Sequence, residues 1–220
     1  MSFEHHVVFA ILSLPVTTTV VTTWVTMIVL VIAVAILGGR IQSNASRWQA
    51  VLEWGFTGVL RQVEEMTGAP GDRYLPLVTT VGVFVLALNL VSALPLVEAP
   101  TADINTPIAL ALIVFFSVHY FGIEEKGVWT YLKSFAQPVI ILFPINVLSH
   151  LTRTLSLAVR LFGNMISHQI IVAVLLLILP LVIPAVLEVF GLFIGVIQAY
   201  IFTILTIVYI GGAVRAGEGL

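Results

Sequence analysis

Five long apolar stretches, separated by shorter polar segments, run through this chain. The first covers about 17–37 and stops at a Gly-Gly-Arg sequence, and the next two cover about 75–94 and 108–121. The last two are longer, at about 144–179 and 183–214. A helix needs about 20 apolar residues to cross a membrane, and within lipid it satisfies its own backbone groups. The pattern therefore predicts an all-α transmembrane fold with about five membrane helices.

The last two apolar stretches are separated only by a short segment that contains Pro180 and Pro184 and no charged residue. Each stretch is longer than a bilayer requires, and a helix of excess length is accommodated by tilting. We therefore expect a C-terminal hairpin of two long, tilted membrane helices.

Residues 46–67 differ from the apolar stretches because charged side chains alternate there with apolar ones at helical spacing. This pattern is typical of an amphipathic helix that lies at the membrane interface. The chain is accordingly divided into three parts. Residues 1–74 hold a membrane helix and the interfacial helix, 75–123 hold two membrane helices with an extracytoplasmic loop, and 124–220 hold a cytoplasmic connection and the hairpin.

The composition agrees with a membrane protein and excludes several other classes. Hydrophobic residues make up 60% of the 220 residues and charged residues 9%, and the mean hydropathy is +1.13. A soluble domain carries about a quarter charged residues. Nothing in the sequence is basic enough to predict binding to nucleic acid, and the lack of cysteine excludes disulfides and Cys metal sites. No cofactor or metal site is predicted.

The positions of Lys and Arg predict an orientation. In a five-span arrangement, the basic residues outside the apolar stretches all fall on one side, which the positive-inside rule assigns to the cytoplasm. They are Arg40, Arg47, Arg61, Arg73, Lys126, Lys133 and Arg215. We therefore expect the N-terminus outside and the C-terminus in the cytoplasm.

Arg160 lies well inside the fourth apolar stretch, in the sequence LSLAVRLFGNM. An arginine at the centre of a membrane helix costs at least about 2.5–3.5 kcal/mol, and its high pKa prevents it from becoming neutral. Arg160 is therefore expected to face protein or water and to need an anionic or polar partner. A structural arginine bonded to backbone carbonyls is the alternative. Arg153 lies nearer the cytoplasmic end, where it could also snorkel to the interface.

Polar residues form a stripe along the helix that carries Arg160. At about 100° per residue, one face holds Asn146, Ser149, Arg153, Arg160, Asn164, Ser167 and His168. We group Asn146, His150, Arg153 and Ser167 as secondary positions of this stripe. A stripe that only joins helices through hydrogen bonds is the alternative, but such joining does not require two permanent charges.

The last helix is less polar, and its polar and small residues cluster on one face: Glu188, Gly191, Gly195 and Gln198. Gly191 and Gly195 form a small-xxx-small pattern that permits close approach of another helix. No carboxylate of the chain is an obvious partner for Arg160, since Glu188 lies near the far end of its helix. We therefore expect the partner to be water and amides, or a carboxylate of another subunit.

Three segments carry a resemblance to a known family. SLAVRLFGNM, followed about forty residues later by IQAYIFTILTIVYI, resembles the two signature helices of subunit a of F-type ATP synthases, and PTADINTPIALAL resembles that family's segment before the preceding span. The resemblance covers most of the chain from about Pro70 onward. It implies a non-catalytic, multi-pass subunit of the membrane sector, with a bacterial plasma membrane as the expected location.

The resemblance also implies a mechanism and partners. The hairpin in 124–220 would conduct ions through two half-channels that load and unload the essential carboxylates of a rotating ring of small c subunits. The expected partners are this ring, the peripheral stalk (b) subunits, the ATPase head through the complex, and the lipid bilayer.

Arg160 matches the family's essential arginine, and Asn164 and Gln198 match its polar positions. Gln169 stands where many proton-translocating members have an acid, so His168 and Glu188 are expected to replace that acid. The ion-translocation residues implied are thus Arg160, Asn164, His168, Gln169, Glu188 and Gln198. The missing acid leaves sodium open as an alternative to protons.

Two other function classes were weighed. A stand-alone transporter or channel would use the buried arginines as an anion site, but the chain is short and has no internal repeat. An intramembrane enzyme would use His150 or His168, but no HExxH, GxSxG or paired-carboxylate motif accompanies them.

Overall fold

A computed structural model describes residues 7–11, 14–39, 47–93, 99–135, 141, 143–178 and 182–215. A short antiparallel pair of strands, β1 (Val7–Ile11) and β2 (Leu14–Thr17), precedes the helices. The helices are α1 (Thr18–Gly39), α2 (Arg47–Thr67), α3 (Leu75–Ser92), α4 (Asn105–Lys126), α5 (Val128–Phe135), α6 (Phe143–Ile178) and α7 (Val182–Arg215). Short 3-10 turns, Gly71–Arg73 and Pro100–Ala102, precede α3 and α4.

Within the described residues, five helices are long and apolar enough to cross a membrane: α1, α3, α4, α6 and α7. This confirms the predicted all-α transmembrane fold, including the pair of long C-terminal helices. α2 forms over almost the range predicted for the amphipathic helix, and it exposes 80% of Trp54.

The start of the charged connection was assigned wrongly from the sequence. Glu124, Glu125 and Lys126 were placed in a connection, but they form the last turn of α4. Gly127 ends that helix with a φ of 77°, a left-handed conformation that glycine adopts without steric cost. The short helix α5 begins directly afterwards. The apolar stretch ends at Phe121, whereas the helical hydrogen bonds of α4 continue through the exposed charged turn.

The chain forms two compact units, each assembled from separate segments. Unit 1 comprises Met1–Gln42, Val83–Pro107 and Val159–Ala199, and unit 2 comprises Ser43–Gly82, Ile108–Ala158 and Tyr200–Leu220. The helices α3, α4, α6 and α7 therefore each contribute a segment to both units.

In unit 1, the loop before α4 is fixed by a buried carboxylate. Thr19 Oγ1 donates to Asp103 Oδ2 at 2.9 Å, and the backbone N–H of Asn105 donates to Asp103 Oδ1 at 3.0 Å. The Asn105 side chain adds a second bond to the same oxygen. Asp103 is thus satisfied within the chain, as a buried charge requires.

In unit 2, ion pairs and glycine contacts hold the connections. Arg73 forms ion pairs with both Glu124 and Glu125. Near the C-terminal end of α7, Gly211 lies directly against the backbone of Met66, and the Arg215 side chain donates to the Glu65 carbonyl at 2.9 Å. These contacts join the end of α7 to the last turn of α2.

Candidate functional site

Unit 1 contains a small cavity of about 20 Å³. Asn89 of α3, Asn164 and His168 of α6, and Glu188 of α7 are among the residues that line it. A cavity holds one water when its volume reaches about 10–15 Å³ and polar partners are present. This cavity therefore has room for about one water molecule among amide, imidazole and carboxylate groups.

His168 and Glu188 come together across this cavity. Their closest atoms, His168 Nε2 and Glu188 Oε2, lie 3.5 Å apart, and both side chains are partly exposed. The pair is ionic only when the imidazole is protonated. The two residues that were expected to replace the acid at Gln169 are thus neighbours, beside a cavity with room for a water molecule.

Gly191 provides the space for the His168 ring. A Cβ atom at this position would lie 2.5 Å from His168 Cε1, which is closer than nonbonded atoms approach. Gly195, one helical turn further along, contacts Asn89 in the same way, with 3.0 Å between the two Cβ positions. Both glycines of the small-xxx-small pattern therefore permit a close approach.

Asn89 makes the buried polar contact between α3 and α7. Its Nδ2 atom donates to the Gly195 carbonyl at 2.9 Å. The carbonyl of a helical residue already accepts a backbone bond, so the side-chain amide adds a second donor to it. This bond fixes the register of the two helices at the cavity.

Arg160 is exposed, and it makes no hydrogen bond or ion pair with the described part of the chain. It is the only Lys or Arg among the described residues of unit 1. The carboxylates described in that unit are both engaged, Asp103 by Thr19 and Asn105 and Glu188 by His168. The guanidinium is therefore a permanent cation with no anionic partner among these residues.

Gln198 differs from Arg160 because its side chain is buried, and its amide nitrogen lacks a hydrogen-bond acceptor within the described part of the chain. Only 6% of its surface is exposed, and its Nε2 atom has no hydrogen-bond partner among the described residues. Gln169 is half-buried and Ser167 is exposed, and neither lines the cavity. The cavity thus gathers Asn164, His168 and Glu188 of the sequence-derived set, and leaves Arg160, Gln169, Ser167 and Gln198 outside its lining.

Three of the four secondary polar positions lie in unit 2, around a larger cavity of about 200 Å³, whereas Ser167 lies in unit 1. Asn146, His150 and Arg153 all line it, together with Tyr131 of α5. Asn146 Nδ2 donates to the Phe135 carbonyl at 2.9 Å, and the Arg153 guanidinium lies 6.0 Å from the centre of the Tyr209 ring. Arg153 thus has a cation–π partner within its own unit.

Sequence reasoning missed Asn89 and His119, which are polar residues in otherwise apolar helices. Asn89 stands in LALNLVS and His119 in SVHYF. Each could have been noticed as a polar interruption of a membrane span. Their importance depends on which neighbours face them, and helix register is not visible in one sequence.

Comparison with known proteins adds an independent finding. Residues 20–211 match the family model described as ATP synthase A chain. The chain is 45% identical over 199 residues to ATP synthase subunit a 2 of Bradyrhizobium sp. (strain BTAi1), covering 90% of this chain and 89% of that one. It is 44% identical over 202 residues to ATP synthase subunit a 1 of Chlorobaculum parvum, covering 91% and 89%. ATP synthase subunit a of Albidiferax ferrireducens is 41% identical over 199 residues, covering 90% and 86%.

Proposed function

Because this chain belongs to the ATP synthase A chain family, we propose that it is the non-catalytic, ion-translocating stator subunit of a rotary F-type ATP synthase. It is a multi-pass membrane protein, and its working partner is a ring of small c subunits, each with one essential carboxylate. The observation that carries the proposal is the unpartnered cation Arg160 on an exposed face of α6.

Arg160 acts on the ring carboxylates through its charge. A deprotonated carboxylate that passes α6 is attracted to the guanidinium, which compensates for the cost of leaving it ionised near the bilayer centre. Since arginine does not release its proton, Arg160 cannot pass ions along. It therefore also blocks direct leakage between the two access paths.

Each unit supplies one access path in this proposal. The Asn164, His168 and Glu188 cavity belongs to the first path, and the Asn146, His150 and Arg153 cavity to the second. Gln198 offers its buried amide donor, which has no partner among the described residues, to water of the path. An ion enters by one path, neutralises a ring carboxylate, travels with the ring, and leaves by the other path.

The orientation follows from charge. Arg61, Arg73, Lys126, Lys133 and Arg215 are all described residues of unit 2, so the positive-inside rule puts the connections of that unit on the cytoplasmic side. The N-terminus then lies outside and the C-terminus in the cytoplasm, in a bacterial plasma membrane. Peripheral stalk subunits and the ATPase head complete the assembly.

Purification in mild detergent tests the assignment against the alternative of a stand-alone ion transporter. We expect the chain to co-purify with a small hairpin proteolipid and soluble ATPase subunits, and ATP hydrolysis by this complex to drive ion uptake into vesicles. An isolated chain that transports ions by itself in liposomes would overturn the proposal.

The coupling ion is a separate prediction. A His–Glu pair in place of the usual acid can still carry protons, because imidazole titrates near neutral pH. We therefore expect ATP hydrolysis by the intact complex to proceed at an unchanged rate when sodium is removed, and to acidify the vesicle lumen. Stimulation of the ATPase by sodium, together with sodium uptake that a protonophore does not abolish, would assign sodium instead.

Glu188 gives a prediction for the first path. Glu188→Gln keeps the size and hydrogen-bonding capacity of the side chain but cannot bind and release a proton at neutral pH. We expect ATP-driven pumping to fall by about tenfold or more, the lower end of general acid–base effects, and its pH dependence to change. Pumping is measured by dye quenching in vesicles across a pH series.

The matched control is Glu53→Gln, which makes the same chemical change at an exposed position of α2 in the other unit. It should pump like the wild type. A Glu188→Gln complex with the wild-type rate and pH profile would remove Glu188 from the ion path.

A further inference from the structure

In unit 2, a histidine that no step above uses lies beside His150, which the proposal already places on the second access path. His119 of α4 and His150 of α6 have ring centres 5.5 Å apart, with the rings inclined at 68°. The ring of Phe135 in α5 contacts both histidine rings. Its centre lies 6.3 Å from the centre of the His119 ring and 5.0 Å from that of the His150 ring. Two imidazole rings are thus held together by aromatic walls.

The hydrogen bond of His119 determines where a proton can bind. Its Nδ1 atom lies 2.7 Å from the Phe115 carbonyl oxygen, which can only accept. Nδ1 therefore carries the hydrogen, and in the neutral ring Nε2 is left as the acceptor. His119 is fixed as a base with one open position.

Two cavities meet at His150. The larger one, about 200 Å³, holds several water molecules, and the smaller one, about 10 Å³, is lined by both His119 and His150 and holds about one. The Tyr131 hydroxyl, on the wall of the larger cavity, is buried with no partner among the described residues. A buried hydroxyl without a protein partner is usually satisfied by water, which independently indicates that the larger cavity is wet.

The other charged or titratable groups around the pair are Arg153 on α6, Tyr131 on α5 and Tyr209 on α7. Burial raises the pKa of Tyr131 to about 12, so it remains a neutral phenol at physiological pH. No carboxylate lines either cavity within the described residues. Among the described residues that line these cavities, the histidines are therefore the side chains that can act as proton acceptors and donors.

We infer that His119 and His150 form a proton-exchange station on the second access path, a proposal that rests on the stator function above. A proton delivered by hydronium in the larger cavity binds to His150, which becomes an imidazolium and leaves neutral water behind. A water molecule in the smaller cavity then relays that proton to Nε2 of His119, which leaves His150 neutral, and the reverse transfers return the proton to water in the larger cavity. The second access path therefore carries protons and not sodium, since an imidazole nitrogen with a bound proton offers no site for sodium.

Two variants of the intact complex test the station: His119→Asn keeps a donor near the Phe115 carbonyl, and His150→Gln keeps a polar group at the cavity. Neither of the replacement side chains, Asn or Gln, binds or releases a proton near neutral pH. We expect ATP-driven proton pumping to fall by about tenfold in each and to lose its pH dependence between about pH 5 and 8. Trp129→Leu, which replaces an exposed aromatic residue of α5 that lines neither cavity, should keep the wild-type pH profile.

Chemical rescue separates proton transfer from packing. His150→Ala opens space beside the larger cavity, so imidazole added to the buffer should restore part of its pumping, with no effect on the wild type. Arg160→Ala, measured in parallel, must be inactive and not rescued. If the wild type pumps and Arg160→Ala does not, the stator function holds. In that case, wild-type pH profiles in both His119→Asn and His150→Gln would overturn the station alone.

Discussion

Replacing Arg160 with alanine is expected to abolish ATP-driven ion pumping while the complex still assembles. The guanidinium is exposed and makes no ion pair or hydrogen bond with the described residues, so its removal breaks no contact within that part of the fold. What is lost is the charge that meets the ring carboxylates and separates the two access paths. We expect pumping to fall more than a hundredfold, and passive proton leakage through the membrane sector to appear. Dye quenching in vesicles measures both quantities.

Arg160→Lys is the matched variant, because it keeps a positive charge. Lysine lacks the planar fork of donors and loses its proton more readily when desolvated, so we expect partial or no pumping with less leakage than in the alanine variant. Arg61→Ala removes an exposed arginine of α2 whose ion pair, among the described residues, is with Glu65 one turn away, and this variant should pump normally. An assembled Arg160→Ala complex that pumps like the wild type would refute the proposed role.

Gly211→Ala is expected to have the largest effect on assembly. A Cβ atom there would lie 2.6 Å from the carbonyl oxygen of Met66 and 3.1 Å from its carbonyl carbon. Both are backbone atoms, so the last turn of α2 must move, and overpacking of this kind costs about 1–3 kcal/mol or more. We expect at least a severalfold loss of assembled complex from membranes, measured by native gel electrophoresis and immunoblotting.

The neighbouring Gly212 provides the control, because a Cβ atom at that position meets nothing within 4 Å. In a helix, alanine is favoured over glycine by about 1 kcal/mol, so Gly212→Ala should assemble at least as well as the wild type. Equal amounts of complex from the two variants would show that α7 does not depend on its close approach to α2.

The helices could be predicted from the sequence because their apolar runs are long and their ends carry charge or proline. The start of the connection after α4 could not, since helical hydrogen bonds continue through Glu124 and Glu125 after the hydropathy signal has ended. Sequence alone predicted that Arg160 needs a polar or anionic partner, either water and amides or a carboxylate of another subunit, because that argument depends only on depth and charge. The positions of the helices and the burial cost of Arg160 both follow from the residue types along a single helix.

The remaining parts of the candidate site depend on register between helices. His168 and Glu188 are 20 positions apart along the chain, and their contact requires α6 and α7 to face each other at one particular level. Gly191 sets that level by leaving room for the imidazole ring, and the Asn89 bond to Gly195 sets the position of α3. Nothing in the periodicity of a single helix specifies such a match. His119 was missed for the same reason, since its neighbours come from α5 and α6.

The exposure of α6 has a consequence for biosynthesis. In the 18-residue window that identifies α6 as a membrane span, only 6% of the residues are buried inside the described part of the chain, the smallest share among the five candidate spans. A helix with so few neighbours in its own polypeptide, and with a bare guanidinium on its surface, is held mainly by what surrounds it. A newly inserted copy without a ring beside it would present this helix to quality-control proteases. Balanced production of both components would then decide how much of this subunit survives in the cell.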